Sequence, residues 1–574
     1  MRQTRRQFVQ GLGVVVAAGC GDDSSTTPPG TSGADGGGAG GNGGTSSDGG
    51  AQDATTDSPM GDGGPTGIGE GSPFGIATSH SRSLNLGWLT TIGTTGIAWL
   101  RGFDRDNADK SLSDALAAGF EVSGILQQGA AFPAGDLNAW RDGVKQLVTE
   151  AKGRVKYWEV WNEPPNFSTD KTPESYAAIV KSAYDAVKEV DPTLQVGLCS
   201  ASVHLSFMSQ AIVAGAADHF DYITLHPYET LDLVDRGFEG QFMGIVPTVR
   251  KMLAELNPAK QWVPVVFTEL GEPVDGSHTP EHQAATFLKA YVLSIAQGVT
   301  RIHWFEGIDG DSGPFGLLAD DGTPRPSFTA AKVLIENLGA LPKYLGWVLL
   351  DGAHYGFVFD GPSGPLLVAW PAPGTSPTIA FGKTVDVVDP LTGSGSSGSS
   401  VPLSAPLIVR QIPAALVNEA ANDKGAPFWW GGDFSGAKEI SFTPNAEQGL
   451  HVLGAAPTIT LGGDLARDCG SAAAHSFTLD PNFNTWDTVP LRVTAVVRRT
   501  TNGAAGFNLK YESAAGTKST GSWNGVPAQD QWHTLTWDVT DARFVGKWGY
   551  HLSLDSDSTD NSQYALKSLT ITKL

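Results

Sequence analysis

The stretch VKYWEVWNEPPNF, Val155 to Phe167, begins as a strand and ends on an Asn-Glu pair followed by Pro-Pro, a step that no helix interior accepts. Valine, tyrosine and tryptophan suit a pleated, buried surface, so the run reads as a buried strand ending on polar residues. If side chains alternate throughout, Glu159, Trp161 and Glu163 share one face while Trp158, Val160 and Asn162 share the other. Depth then separates the two glutamates. Glu159 lies four residues, roughly 13 Å, below the strand end and reads as a paired structural group. Glu163 stands at the end, where a ligand can reach it.

Working outward, the same kind of run recurs along the chain. Candidate strands are Phe74–His80, Ile97–Phe103, Phe120–Gln127, Val155–Glu163, Leu194–Ser200, Asp221–Tyr228, Val263–Glu269 and Arg301–Gly307. Between them lie segments with apolar residues at helical spacing, such as Ser175–Val190 and Glu281–Gln297. Alternating strands and helices predict a parallel sheet. Eight such units within a span of this size predict a (β/α)8 TIM barrel, whose functional residues stand at the C-terminal ends of its strands. Those ends carry Arg101, Gln127 with Gln128, Asn162 with Glu163, His226 with Tyr228, Glu269, and Trp304 with Glu306. Any one of these could be an ordinary hydrogen-bonded loop residue. Polar groups from strands so far apart in the chain have no packing reason to converge on one rim.

Trp161-Asn162-Glu163-Pro164 at the end of the fourth strand and Thr268-Glu269-Leu270-Gly271 at the end of the seventh resemble the acid/base and nucleophile signatures of clan A glycoside hydrolases. With Pro165-Asn166-Phe167 following, the resemblance is closest to family 39, the β-xylosidase and α-L-iduronidase type, and covers about residues 74–340. It implies a retaining hydrolase acting on a polysaccharide or oligosaccharide, with Glu163 as acid/base and Glu269 as nucleophile. It further implies that Asn162 holds the sugar 2-hydroxyl, that His226 and Tyr228 line the site near the nucleophile, that Arg101 keeps Glu269 ionised, and that Trp304 forms a sugar platform. Glu306 is read as a substrate contact, and Glu272 and Glu306 are the rivals of Glu269 for the nucleophile. The third strand departs from the related family 5 pattern, with Gln127 and Gln128 where a histidine is expected. A second reading gives the same barrel to a catalytically inactive glycan-binding or adhesion lipoprotein; the two glutamates argue against it.

The flanks add an address and further domains. Residues 1–20 read as an export signal of twin-arginine character, around Arg5-Arg6, ending in a lipobox-like Ala17-Ala18-Gly19-Cys20, with Cys20 the expected lipidation site. Residues 21–70 are Gly/Ser-rich and nearly free of apolar side chains, and read as a disordered tether reaching roughly 40 Å. The expected location is therefore a membrane-anchored lipoprotein facing the periplasm or cell surface, touching the membrane only through its anchor. The barrel occupies 71–342, a small β-sandwich 343–415 and a second β-sandwich 416–574. The last resembles carbohydrate-binding jelly rolls, with Trp429, Trp430, Trp523 and Trp548 as stacking candidates and Asp555, Asp557 and Asp560 as an acidic loop. With 38 Lys plus Arg against 60 Asp plus Glu, the formal charge of −22 disfavours nucleic acid as a partner. Cys199 and Cys469 fall in different domains and read as buried thiols, and no Cys/His cluster has zinc spacing. No cofactor or metal is expected, and the protein is expected to be a monomer.

Overall fold

The computed structural model describes residues 71–79, 86–103, 109–127, 132–352, 354–426, 433–521, 523–527 and 529–574. The signal, Cys20, the tether, Gln128, Trp429 and Trp430 lie outside the described residues. Among the described residues, no helix is long and apolar enough to cross a membrane.

Eight parallel strands close a barrel in chain order: β1 (Phe74–Ala77), β2 (Trp99–Phe103), β3 (Glu121–Leu126), β4 (Val155–Val160), β5 (Gln195–Ser200), β6 (Tyr222–Leu225), β7 (Val265–Leu270) and β8 (Arg301–Phe305). Closure is made by β1 pairing with β8, Gly75 opposite His303 and Ala77 opposite Phe305. The helices begin where the sequence supplies caps. Thr172 accepts from the Ser175 N–H ahead of Pro173–Val190, and Thr279 from the His282 N–H ahead of Pro280–Ala296, each with proline in the first turn. Both helices bury an apolar face against the barrel wall.

The barrel interior is layered. Its lower layer packs Trp99, Tyr157, Tyr222 and Val266, and the Arg301 guanidinium stacks 3.3 Å from the Trp99 ring centroid and 4.2 Å from that of Tyr157. Arg101, Glu159, Thr224 and His226 are also buried, each two residues further along its strand than Trp99, Tyr157 or Tyr222 or, for His226, four. Glycine makes room at one crowded point: a Cβ on Gly197 would meet the Tyr222 ring at 2.6 Å.

Beyond the barrel, β9 (Lys343–Leu350), β10 (His354–Gly361), β11 (Gly364–Ala369), β12 (Thr378–Val388), β13 (Gly395–Pro402) and β14 (Leu407–Arg410) form one antiparallel sheet in the order β13-β12-β14-β11-β10-β9. One face, with Trp347, Phe357, Val368 and Trp370, shares the barrel's core, and Trp370 Nε1 donates to Glu239 Oε1 at 2.8 Å. The other face packs Val348, Val358, Leu367 and Val409 against the helix Ala414–Asp423. This unit therefore runs past residue 415 to the end of that helix. The remaining residues form two antiparallel sheets around Phe442, Phe477, Leu509, Leu554 and Ile571. This sandwich docks on the barrel helices: Trp486 Nε1 donates to Glu255 Oε2 at 2.6 Å, and the Thr248 and Thr485 hydroxyls lie 2.6 Å apart.

Gly197→Ala forces the Tyr222 ring to move within a filled layer and is expected to cost about 1–3 kcal/mol. Gly276→Ala, where a Cβ meets nothing within 4 Å, stays within about 0.5 kcal/mol. Denaturant titration of both variants checks the contrast.

Candidate active site

Among the described residues, the Arg101 cation organises the mouth of the barrel. Arg101, at the centre of β2 and 2% exposed, donates from Nη1 to Glu269 Oε1 at 2.5 Å. From Nη2 it donates to Glu159 Oε1 at 2.7 Å and to Asn162 Oδ1 at 2.8 Å. Burial alone would lower its pKa; the attraction of Glu159 and Glu269 more than offsets this and raises it, so the guanidinium stays charged. Glu159 also accepts from Cys199 Sγ at 3.2 Å. Its burial inside the barrel fits the structural reading given to it from depth. Cys199 and Cys469 are both buried and free.

The two carboxylates at the rim reach it by departures from strand alternation. Strand β4 ends at Val160. Trp161 and Glu163 then adopt φ of 71° and 49°, a region that costs non-glycine residues about 1–3 kcal/mol. The expectation that Glu159, Trp161 and Glu163 share a face is corrected here. Trp161 turns outward against Phe132 and Trp140, while Asn162 turns to Arg101 and Glu163 to His226. The turn is held from outside by Tyr176, whose hydroxyl donates to the Val160 carbonyl at 2.9 Å and accepts from the Cys199 N–H at 3.0 Å. On β7 the register with β8 shifts between Phe267 and Leu270. That bulge lets Thr268 and Glu269 both face the mouth, where strict alternation would aim only one of them inward.

Across the mouth, His226 bridges the pair. It is fully buried, with Nδ1 2.8 Å from Glu163 Oε1 and 3.8 Å from Glu269 Oε2, and Nε2 3.0 Å from Thr268 Oγ1. The Thr268 hydroxyl can donate to Nε2, leaving an Nδ1–H to donate to Glu163. Tyr228 donates its hydroxyl to Glu269 Oε2 at 3.0 Å. One oxygen each of Glu163 and Glu269, with a His226 ring nitrogen, all lie within 4.8 Å of one another. His226 thus meets Glu163 more closely than Glu269, while Tyr228 holds Glu269 as expected.

Two expected substrate contacts are corrected. Trp304 is fully buried and cannot serve as a sugar platform. Its parity on β8 aims it outward, where it meets Phe287 of the helix Pro280–Ala296 and donates Nε1 to the Phe315 carbonyl at 3.3 Å. The inward residue is Phe305, clustered with Ala77, Phe315 and Tyr228, and counting from Arg301 and His303 along the strand would have found it. Glu306 has no exposed surface, and its two oxygens accept from the Ser79 and Gly310 N–H groups at 2.9 and 3.0 Å. Burial raises its pKa to about 7 against these amide bonds. It is therefore neither a substrate contact nor a rival nucleophile. Glu272 points away as well, toward His278 and His282. In the last domain, Trp523 and Trp548 remain at the surface, whereas Asp555 pairs with Lys510 at 2.5 Å and accepts from the Asp557 N–H.

Two facing carboxylates with unlike partners at the C-terminal mouth of a closed barrel define a class, and the comparisons agree with it. Residues 111–339 match the model of the glycosyl hydrolases family 39. The barrel is thus similar to the family 39-like glycoside hydrolases of clan A. It is 25% identical over 253 residues to a β-xylosidase of Caldicellulosiruptor saccharolyticus, covering 39% of this chain and 51% of that protein. It is 27% identical over 250 residues to a β-xylosidase of Geobacillus stearothermophilus, covering 38% and 49%. The chain spans about half the length of these curated relatives. A solved family 39 glycoside hydrolase from Bacteroides cellulosilyticus WH2 aligns at a TM-score of 0.49 and 20% identity, over 60% of this chain and 81% of that one.

Arg101→Met leaves Glu159 and Glu269 buried without their cation and is expected to cost about 3–5 kcal/mol. Adding Glu159→Gln should restore part of that stability. A double-mutant cycle by chemical denaturation measures the coupling, and additive losses would contradict the clasp.

Proposed function

We propose that this protein is a retaining glycoside hydrolase in which Glu269 attacks the anomeric carbon and Glu163 protonates the departing oxygen. The observation that carries the reading is the approach of Glu163 and Glu269 oxygens to within 4.8 Å across His226. Retaining enzymes hold their carboxyl groups about 5–5.5 Å apart, whereas inverting ones leave roughly 6.5–9.5 Å for a water. Arg101 and Tyr228 both donate to Glu269, which favours its charged, nucleophilic form. Glu163 meets the His226 ring, 2.8 Å from Nδ1.

The reaction then runs in two displacements. Glu269 forms a bond to the anomeric carbon as the glycosidic C–O bond breaks and Glu163 gives its proton to the leaving oxygen. Glu163, now ionised, takes a proton from water, which attacks the same carbon and releases Glu269 with the configuration retained. Asn162, its Oδ1 fixed by Arg101, has its amide N–H free to donate to a sugar hydroxyl beside the nucleophile. The matched relatives are named β-xylosidases, so β-xylosides are the first substrates to try within a polysaccharide or oligosaccharide range. Kinship to a hydrolase family disfavours the inactive binding alternative. Export and anchoring through Cys20, and glycan stacking on the surface tryptophans Trp523 and Trp548, complete the proposal.

Glu163→Ala and Glu269→Ala should each lower hydrolysis of an activated aryl glycoside by several orders of magnitude. Azide should rescue Glu269→Ala with a glycosyl azide of inverted configuration; the same rescue of Glu272→Ala instead would overturn the nucleophile assignment. Fatty-acid labelling of the exported chain, lost in Cys20→Ala, checks the anchor, and labelling that persists in that variant rejects it.

A further inference from the structure

The segment that follows Glu269 gathers a second set of donors. Glu272 lies just past the end of β7, His278 lies on the loop beyond it, and His282 is in the first turn of the helix Pro280–Ala296. Glu272 Oε1 stands 3.5 Å from His278 Nε2 and 3.3 Å from His282 Nε2, and the three donor atoms all lie within 4.8 Å of one another. When a zinc-sized ion holds its ligands at about 2.0–2.1 Å in a tetrahedron, neighbouring ligand atoms are about 3.3–3.4 Å apart. Both edges from Glu272 are close to that length.

Four further features fit a cation. Glu272 is 4% exposed, and its Oε2 has no hydrogen-bond partner among the described residues. His278 Nδ1 lies 3.2 Å from Asp275 Oδ1, so the carboxylate fixes the ring with Nε2 toward the cluster, the usual support of a metal-bound histidine. Asp235 Oδ2 lies 3.2 Å from His282 Nε2 and is the nearest additional oxygen for a fourth position. It is held by Thr286 Oγ1 and Lys289 Nζ. The two imidazoles are each about a third exposed, which gives an ion a way in. This geometry is distinct from the mouth of the barrel, where Glu269 is bound to Arg101 and Tyr228.

We propose that Glu272, His278 and His282 form a divalent-cation site of zinc type, which ties the loop after β7 to the helix that follows. Two imidazoles and a carboxylate are a borderline N/O donor set, suited to zinc above calcium or magnesium. The ion would fix the chain three residues beyond Glu269 and so act as a positioning device. Without it, His282 Nε2 donates to Asp235 Oδ2 and Glu272 Oε1, so zinc takes the place of that proton on binding.

The full chain, stripped with a chelator and dialysed, is titrated with zinc chloride by calorimetry in two buffers of different ionisation enthalpy. One zinc per chain, proton release that makes the enthalpy buffer-dependent, and a higher thermal midpoint are expected. Cobalt in its place should show the visible absorption of a tetrahedral site. His278→Ala and His282→Ala should each weaken zinc binding at least tenfold, with circular dichroism unchanged because both side chains lie near the surface. Zinc binding unaltered in the double variant would place the ion elsewhere, including on Glu163, His226 and Glu269, and overturns the proposal. Failure of the wild-type chain to bind at micromolar free zinc also overturns it and leaves His282 as a protonated partner of Asp235 and Glu272.

Discussion

The Arg101 guanidinium, buried in a closed barrel and shared among Glu269, Glu159 and Asn162, is the interaction on which the mouth depends. A buried cation is costly unless its charge is matched. Here two carboxylates match it from strands β4 and β7, and the planar fork fixes where both must stand. Glu159 supplies the lower support and Glu269 the upper one. The deeper glutamate thereby frees the rim glutamate for chemistry, since the guanidinium can hold Glu269 charged without relying on it for its only partner.

The second constraint is the distance between the carboxylates. Glu163 and Glu269 come from opposite sides of the barrel, and each needs a local break in its strand to face inward. For Glu163 the break is a left-handed turn through Trp161 and Glu163, anchored by the outward packing of Trp161 and by Tyr176. For Glu269 it is a bulge against β8. Backbone strain of this sort persists only where the surroundings over-determine it. His226 and Thr268 then fill the space between, tying the turn of one strand to the bulge of another.

The C-terminal sheets act on this site from behind. The six-stranded sheet shares the barrel core through Trp347, Phe357 and Trp370, and the last sandwich reaches the loops around the mouth. The Ser202 hydroxyl, on the loop after β5, lies within hydrogen-bond reach of Glu229, next to Tyr228, and of the Lys547 carbonyl of the sandwich at 3.1 Å. Burial raises the pKa of Glu229 to about 7, with the Ser202 hydrogen bond acting against it. The domains are thus continuous with the rim at the level of individual hydrogen bonds.

The number, order and approximate ends of the barrel strands are legible in the sequence, because strands alternating with amphipathic helices form a helix-covered parallel sheet and eight such units suit a closed barrel. So is the identity of Arg101, Glu163, His226, Tyr228 and Glu269 as rim residues, because their positions at strand ends follow from the chain alone. Side-chain direction was not legible at the ends of β4 and β7, whereas on β8 simple parity already points Trp304 outward. Trp304 and Glu306 look like site residues in sequence, yet parity sends one into the outer core and backbone amides enclose the other. Period two is a local rule, and turns and bulges that break it are set by ladder closure and by packing from other strands. The Glu272–His278–His282 cluster was likewise missed: its two histidines have the H-x3-H spacing of zinc ligands, but only the turn after β7 brings Glu272 to them. The sequence by itself determined which groups reach the rim; closure of the barrel decided which of them face one another.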